Sequence, residues 1–241
     1  MTKWMSKFRP VMIFYLVATG TAWLGYIPLL AGFRSPFWQL LLLLPAVSPA
    51  FAARVAAVPG ELKSLWKIPS LGWILLAGLV PGLLLLLANG RPSPPHLPSL
   101  TALLFALTAN VWEEIGWRGF AQRRLQSAVG MPSAALLVGL LWGLWHMPLF
   151  FLPQSSFLSM ANVPFAAWLA ALLAESLILA WIFHASAFNL PVAVLFHIAM
   201  NLWSNALNFS SFSRLAAVEW VAALSLYLAS RMYSHKDSHS I

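Results

Sequence analysis

The sequence predicts an all-α fold, a polytopic membrane helical bundle with about eight transmembrane helices. Three observations predict it. Of the 241 residues, 61% are hydrophobic and 8% charged, whereas soluble domains carry about 25% charged residues. A chain of this size has no aqueous core able to hide that much apolar surface. The apolar stretches are continuous, as from Leu71 to Ala88, and lack the period-2 alternation of membrane strands. The cationic residues also fall unevenly on alternate connecting segments, as the orientation of a multi-span protein requires.

The first span, 11–31, begins behind Lys3, Lys7 and Arg9. That start is like a signal peptide, but the apolar run continues to about Gly32 without a small-x-small cleavage site, so a retained helix is expected. Further spans are expected at 37–58, 71–89, 99–124, 133–152, 163–183, 190–208 and 214–231, with Pro and Gly clusters between them. Arg91-Pro-Ser-Pro-Pro-His96 reads as a rigid polar connector between the third and fourth. No internal repeat is visible, and one integral membrane domain is expected over 1–241, with a motif-bearing core at about 100–205.

With eight spans and an inside N-terminus, Lys3, Lys7, Arg9, Arg54, Lys63, Lys67, Arg118, Arg123, Arg124, Arg231 and Lys236 fall inside, and Arg34, Arg91 and Arg214 outside. This is 11 against 3 of the 14 Lys and Arg. The asymmetry predicts cytoplasmic N- and C-termini, in a bacterial-type plasma membrane. The net charge of +8 is then loop charge that orients the protein and meets anionic lipid, with the bilayer as partner and no nucleic acid. The absence of cysteine excludes disulfides, thiolate nucleophiles and Cys-based metal sites.

The fourth span departs from its surroundings. Glu113 and Glu114, two of six acidic residues in the chain, follow the apolar run Leu100–Val111, and Arg118 comes four residues later. At 1.5 Å rise per residue, Glu113 lies roughly 20 Å along this helix, towards the cytoplasmic half of a core about 30 Å thick. Ionisable groups at such depth are costly and point to function. Glu114 and Arg118 stand at i, i+4 and can neutralise each other. Glu113 points about 100° away, has no local partner, and is free to face a cavity as a general base or acid. A helix end at the interface, with all three residues solvated, is the other reading of this segment.

His146 lies in a largely apolar span, with Trp142 one turn before it, placed to wall a site or fix the imidazole. His197 and Asn201 share a helix face at i, i+4 and offer two hydrogen-bond donors of the kind that stabilises an oxyanion. Singly, each feature is also explained by hydrogen bonding between membrane helices. Together, in three spans of a chain this poor in polar groups, they point to one site.

The three segments resemble the CAAX-protease and bacteriocin-processing (CPBP, or Abi) family of intramembrane endopeptidases, which includes the type II CAAX prenyl endopeptidases. Glu113-Glu114-Ile-Gly-Trp-Arg118, followed by Gly119-Phe120, matches its Glu-Glu-x-x-x-Arg motif. Trp142 and His146 match its aromatic-x-x-x-His motif, with Trp where Phe is usual, and His197 and Asn201 match His-x-x-x-Asn. Ser48-Pro49 has a weaker family-like look. The resemblance covers about 100–205 and implies a helical bundle whose cavity opens to membrane and cytoplasm. It implies a glutamate-type endopeptidase acting on a peptide or protein substrate at the membrane, with a prenylated C-terminal motif among the candidate substrates. In that mechanism Glu113 and His146 activate a water, His197 and Asn201 stabilise the oxyanion, and Glu114 and Arg118 hold the architecture or position substrate. No cofactor is expected. A zinc-dependent version, with Glu113, His146 and His197 as ligands, is the alternative, although a His-Glu-x-x-His motif is absent.

Other readings place the same residues differently. A transporter or proton relay also puts Glu and His in membrane helices, and a non-catalytic scaffold or immunity protein would use the cavity for binding alone. Glu175, in mid-span, is expected to act as structural glue, with Arg118 or another buried donor as partner, or else as a second acid near the cavity that tunes the site or binds substrate, and His184 to lie at the interface. Asn205 and Asn208 extend the polar face of the seventh span or bond between helices. His235 and His239 belong to a polar tail, Ser234–Ile241, expected to be loosely ordered.

Overall fold

A computed structural model describes residues 3–33, 35, 38, 40–89, 100–154, 159–209 and 211–237. The connector Arg91–His96, Arg34 and His239 lie outside the described residues. The elements are α1 (Lys3–Leu30), a 3₁₀ turn (Leu40–Leu42) leading into α2 (Leu43–Ala56), α3 (Leu71–Asn89), α4 (Leu100–Glu114), a π-helical segment (Ile115–Gln122), α5 (Arg123–Val129), α6 (Met131–Trp145) with a 3₁₀ turn (Met147–Phe151), α7 (Phe165–Ala185), α8 (Leu190–Ala206) and α9 (Phe212–Asp237). Each expected span contains one of these helices. Five are long and apolar enough to cross a membrane: Phe8–Leu30, Leu71–Asn89, Met131–Phe151, Phe165–Ala185 and Phe212–Ser230. Leu40–Ala56 and Leu190–Ala206 are shorter apolar helices. The tail differs from expectation, because α9 continues as helix to Asp237. Backbone hydrogen bonding within a helix does not require an apolar side chain.

The distribution of polarity is inverted relative to a water-soluble protein. Leu16, Leu24, Leu71, Leu79, Leu87 and Leu228 are exposed, while Glu113, Glu114, Arg118, Gln122, Glu175 and Glu219 are buried. Outward Leu side chains have lipid as their natural solvent, and the buried polar groups bond to one another or line a cavity. This is an integral membrane helical bundle.

Helix starts and stops follow local chemistry. Pro132 and Pro191 occupy the first turns of α6 and α8, where the missing N–H costs nothing. Gly130, at φ 80°, turns the chain between α5 and α6. Small residues set the close approaches, as is usual where lipid removes the hydrophobic drive between helices. A Cβ on Gly116 would lie 2.6–2.7 Å from Pro49, so the π segment sits directly on α2. A Cβ on Gly82 would lie 2.8 Å from the Trp203 ring, which brings α3 onto α8. Elsewhere α1 packs on α2, α6 on α7, and α7 on α9.

Three contacts gather connecting segments at one end of the bundle. Arg124 pairs with Glu61 at 2.7 Å, Lys67 Nζ donates to the Ala187 carbonyl at 2.5 Å, and Gln126 bonds His184 Nδ1 at 3.0 Å. The segments after α2, after the π segment and after α7 therefore share an end, as alternating spans require.

Candidate active site

The fourth span delivers its acids at the point where α-helix changes to π-helix. Glu113 and Glu114 close α4, and Arg118 lies in the π segment. π-helical turns inside α-helices are frequent at functional sites. Here the segment is held by Gly116 against Pro49 on one side and by fully buried Trp117 and Phe120 against Phe14 of α1 on the other.

The expected pairing within the motif is present and extended. Arg118 Nη1 lies 3.4 Å from Glu114 Oε1, both side chains being fully buried, and Arg118 Nη2 donates to Ser176 Oγ at 3.4 Å. The same Glu114 oxygen bonds His197 Nδ1 at 2.9 Å. Glu114 thus orients an imidazole as well as neutralising the arginine. With Nδ1 committed to the carboxylate, His197 has Nε2 left for other chemistry.

Trp142 joins the remaining groups. Its Nε1–H donates to Glu113 Oε2 at 2.9 Å, and its carbonyl bonds His146 Nδ1 at 3.0 Å. A carbonyl only accepts, so His146 donates through Nδ1 and, when neutral, has Nε2 as a free lone pair. The Trp142 ring meets His197 edge-on at 5.1 Å and lies under the Arg118 guanidinium at 4.6 Å. A charge over an aromatic face is attracted to it, more so away from water.

These side chains line one cavity of about 240 Å³. Its polar lining includes Glu113, His146, His197 and Asn201, together with Asn110, Glu175 and Ser204, and its apolar lining includes Leu149, Met160, Trp168, Leu172, Phe212 and Leu215. The four residues expected to carry chemistry, drawn from three spans, are therefore brought together. Glu114 and Arg118 lie behind them and Trp142 lies in the wall.

Glu175 takes the cavity place among its two expected ones, and its Oε1 has no hydrogen-bond partner. Two residues take places that the sequence did not assign. Glu219 of α9 is fully buried, with both carboxyl oxygens unpartnered, and lies near enough to Glu175 for the two to interact electrostatically. Asn110 accepts at Oδ1 from Asn201 Nδ2 at 3.0 Å. The available signal for Asn110 was its position three residues before Glu113, on the same helix face. His184 is exposed at a helix end, as expected.

Among the described residues, no group of three or more His, Asp or Glu is arranged to hold a metal ion. His146 and His197 both spend Nδ1 on protein acceptors, which fixes each ring and leaves its Nε2 for other partners.

Residues 95–203 match the family of type II CAAX prenyl endopeptidases, Rce1-like. The motif-bearing segment is the part of this chain that is similar to that family. A relative called CAAX prenyl protease 2, from Methanococcus maripaludis, is 33% identical over 115 residues, covering 46% of this chain and 41% of the relative. The chain thus aligns with about two-fifths of that relative's length. The Rce1-like segment contains the π segment and all three motifs, whereas α1, α2, α3 and α9 lie outside it.

Proposed function

We propose that this chain is an intramembrane endopeptidase of the glutamate type, hydrolysing a peptide bond of a membrane-associated substrate, with prenylated CAAX-type peptides as the first substrate class to consider. The observation that carries the reading is the convergence of Glu113, His146, His197 and Asn201 on one cavity inside an apolar bundle. The relative's name supports the substrate class, as does the apolar lining from Leu149 to Leu215, which suits a greasy chain beside a peptide.

In this mechanism Glu113, held by Trp142, and His146, accepting at Nε2, take a proton from a water whose oxygen attacks the scissile carbonyl carbon. The carbonyl electron pair moves onto oxygen and is stabilised by donors on α8, namely Asn201 and His197, which as an imidazolium donates through Nε2–H while its Nδ1–H stays on Glu114. The pair then returns, the C–N bond breaks, and the leaving amine receives the abstracted proton. Glu114 and Arg118 keep His197 oriented, so both are positioning residues. No step needs a metal. The same arrangement supports an orientation with the Lys67–Ala187 end of the bundle in the cytoplasm, in line with the distribution of Lys and Arg.

The test is hydrolysis of a fluorogenic farnesylated CAAX peptide by purified protein in lipid. Glu113→Gln is expected to lower kcat by about 1,000-fold or more, in the range found when a catalytic group is removed, while the unfolding temperature is kept. A chelator is expected to leave wild-type cleavage unchanged. Cleavage lost to chelator and restored by zinc would overturn the metal-free mechanism. A folded wild type that neither cleaves nor binds the peptide would overturn the peptidase reading.

A further inference from the structure

Asn110 lies on α4 one turn before Glu113, and its side chain is 1% exposed. Its Oδ1 accepts from Asn201 Nδ2 across the α4–α8 contact at 3.0 Å. Its own Nδ2 has no protein partner, although it is fully buried and the residue lines the cavity. Buried donors without acceptors are rare in folded proteins. When one lies beside a candidate base, the natural partner is a group that arrives with the substrate. The accepting bond to Asn201 fixes the plane of the Asn110 carboxamide before any substrate enters. Of the two groups expected to bind the oxyanion, His197 has committed Nδ1 to Glu114 and Asn201 has committed one N–H to Asn110. Asn110 is the amide with its donors unspent.

We propose that Asn110 is a further catalytic residue, whose Nδ2–H groups donate to the scissile carbonyl oxygen and to the oxyanion formed from it, with Asn201 positioning it. The inference rests on the peptidase reading above. As water attacks the carbonyl carbon, the π pair moves to the oxygen and the hydrogen bonds from Asn110 strengthen. When the pair returns and the C–N bond breaks, they weaken again. The donors sit on the helix that carries Glu113, so base and oxyanion donor are spaced by a single helical turn.

The decisive variant is Asn110→Asp, assayed with the farnesylated CAAX peptide at alkaline pH, where the carboxylate still accepts from Asn201 but no longer donates. The expected result is a fall in kcat of about 100- to 1,000-fold, the range for loss of one oxyanion donor, with KM and unfolding temperature little changed. Asn110→Ala is expected to lose kcat to a similar extent. If Asn110 only props Asn201, Asn110→Asp retains wild-type kcat while Asn110→Ala does not, and the proposal is overturned with the peptidase reading intact. Wild-type kcat in both variants overturns it in the same way. A folded wild type that neither binds nor cleaves the peptide overturns the peptidase reading and this inference together.

Discussion

Trp142 touches four polar side chains of the site through three different parts of itself. The indole N–H holds Glu113, the main-chain carbonyl holds His146, and the ring contacts His197 and Arg118. The substitution Trp142→Phe separates these roles, because the smaller ring keeps an aromatic face and the carbonyl but loses the N–H. A hydrogen bond to a charged group is worth about 1.5–3 kcal/mol, so kcat on the farnesylated peptide is expected to fall about 10- to 100-fold. The unfolding temperature in detergent is expected to stay near that of wild type. Wild-type kcat would show that Glu113 does not need the indole. At this scale the sequence was informative about identity and less so about pairing. The Glu114–Arg118 pair was legible from its i, i+4 spacing. The bond from Glu114 to His197 was not, because it spans 83 positions and depends on how two helices are rotated towards each other.

Hydropathy located the helices because the bilayer imposes one requirement on each segment, an apolar length matched to its thickness. The third span, expected at 71–89, is Leu71–Asn89, and the seventh, expected to begin at 190, starts at Leu190. The π segment was invisible to that reasoning, since a wider helix has the same composition as a regular one. It coincides with a tertiary contact, the seat of Gly116 on Pro49. Gly116→Val would push a side chain into backbone and ring atoms that cannot yield cheaply. Overpacking of this kind costs about 1–3 kcal/mol, and the expected readout is a lower unfolding temperature with a parallel loss of activity. An unchanged unfolding temperature would mean that α2 and the π segment can move apart freely.

Across the whole molecule, the Rce1-like segment depends on helices outside it. Trp203 of α8 packs on Gly82 of α3 and donates to the Gly78 carbonyl, and Trp220 of α9 donates to Ala170 of α7. The cavity itself borrows Leu85 from α3 and Phe212 and Leu215 from α9. Residues 95–203 expressed alone are therefore expected to aggregate or to migrate as a broad species in detergent size-exclusion chromatography, while the full chain gives a single symmetric peak. A sharp, peptide-cleaving peak from the segment alone would refute that dependence. The sequence could place the motifs in this core, but it could not say which outer helices close the cavity. Those helices contribute ordinary Leu and Phe side chains, and apolar side chains carry no mark of the neighbour they will meet. Glu175 was left between two roles for a related reason. Its depth could be read from the chain, whereas the direction it faces depends on the helices around α7.

The π segment also bears on how the chain tolerates changes in length. A stretch of wide helix holds spare residues against the tighter pitch that follows it. Losing one residue between Gly119 and Gln122 can be absorbed by rewinding wide turns to the regular pitch, which leaves Glu113, Glu114 and Arg118 in place and keeps the following helix near its register. The same loss before Glu113 would swing Glu113 out of the cavity and Glu114 away from His197. Deletions are therefore unequal along this helix: before Arg118 each one breaks the site, and after it the helix has slack to give.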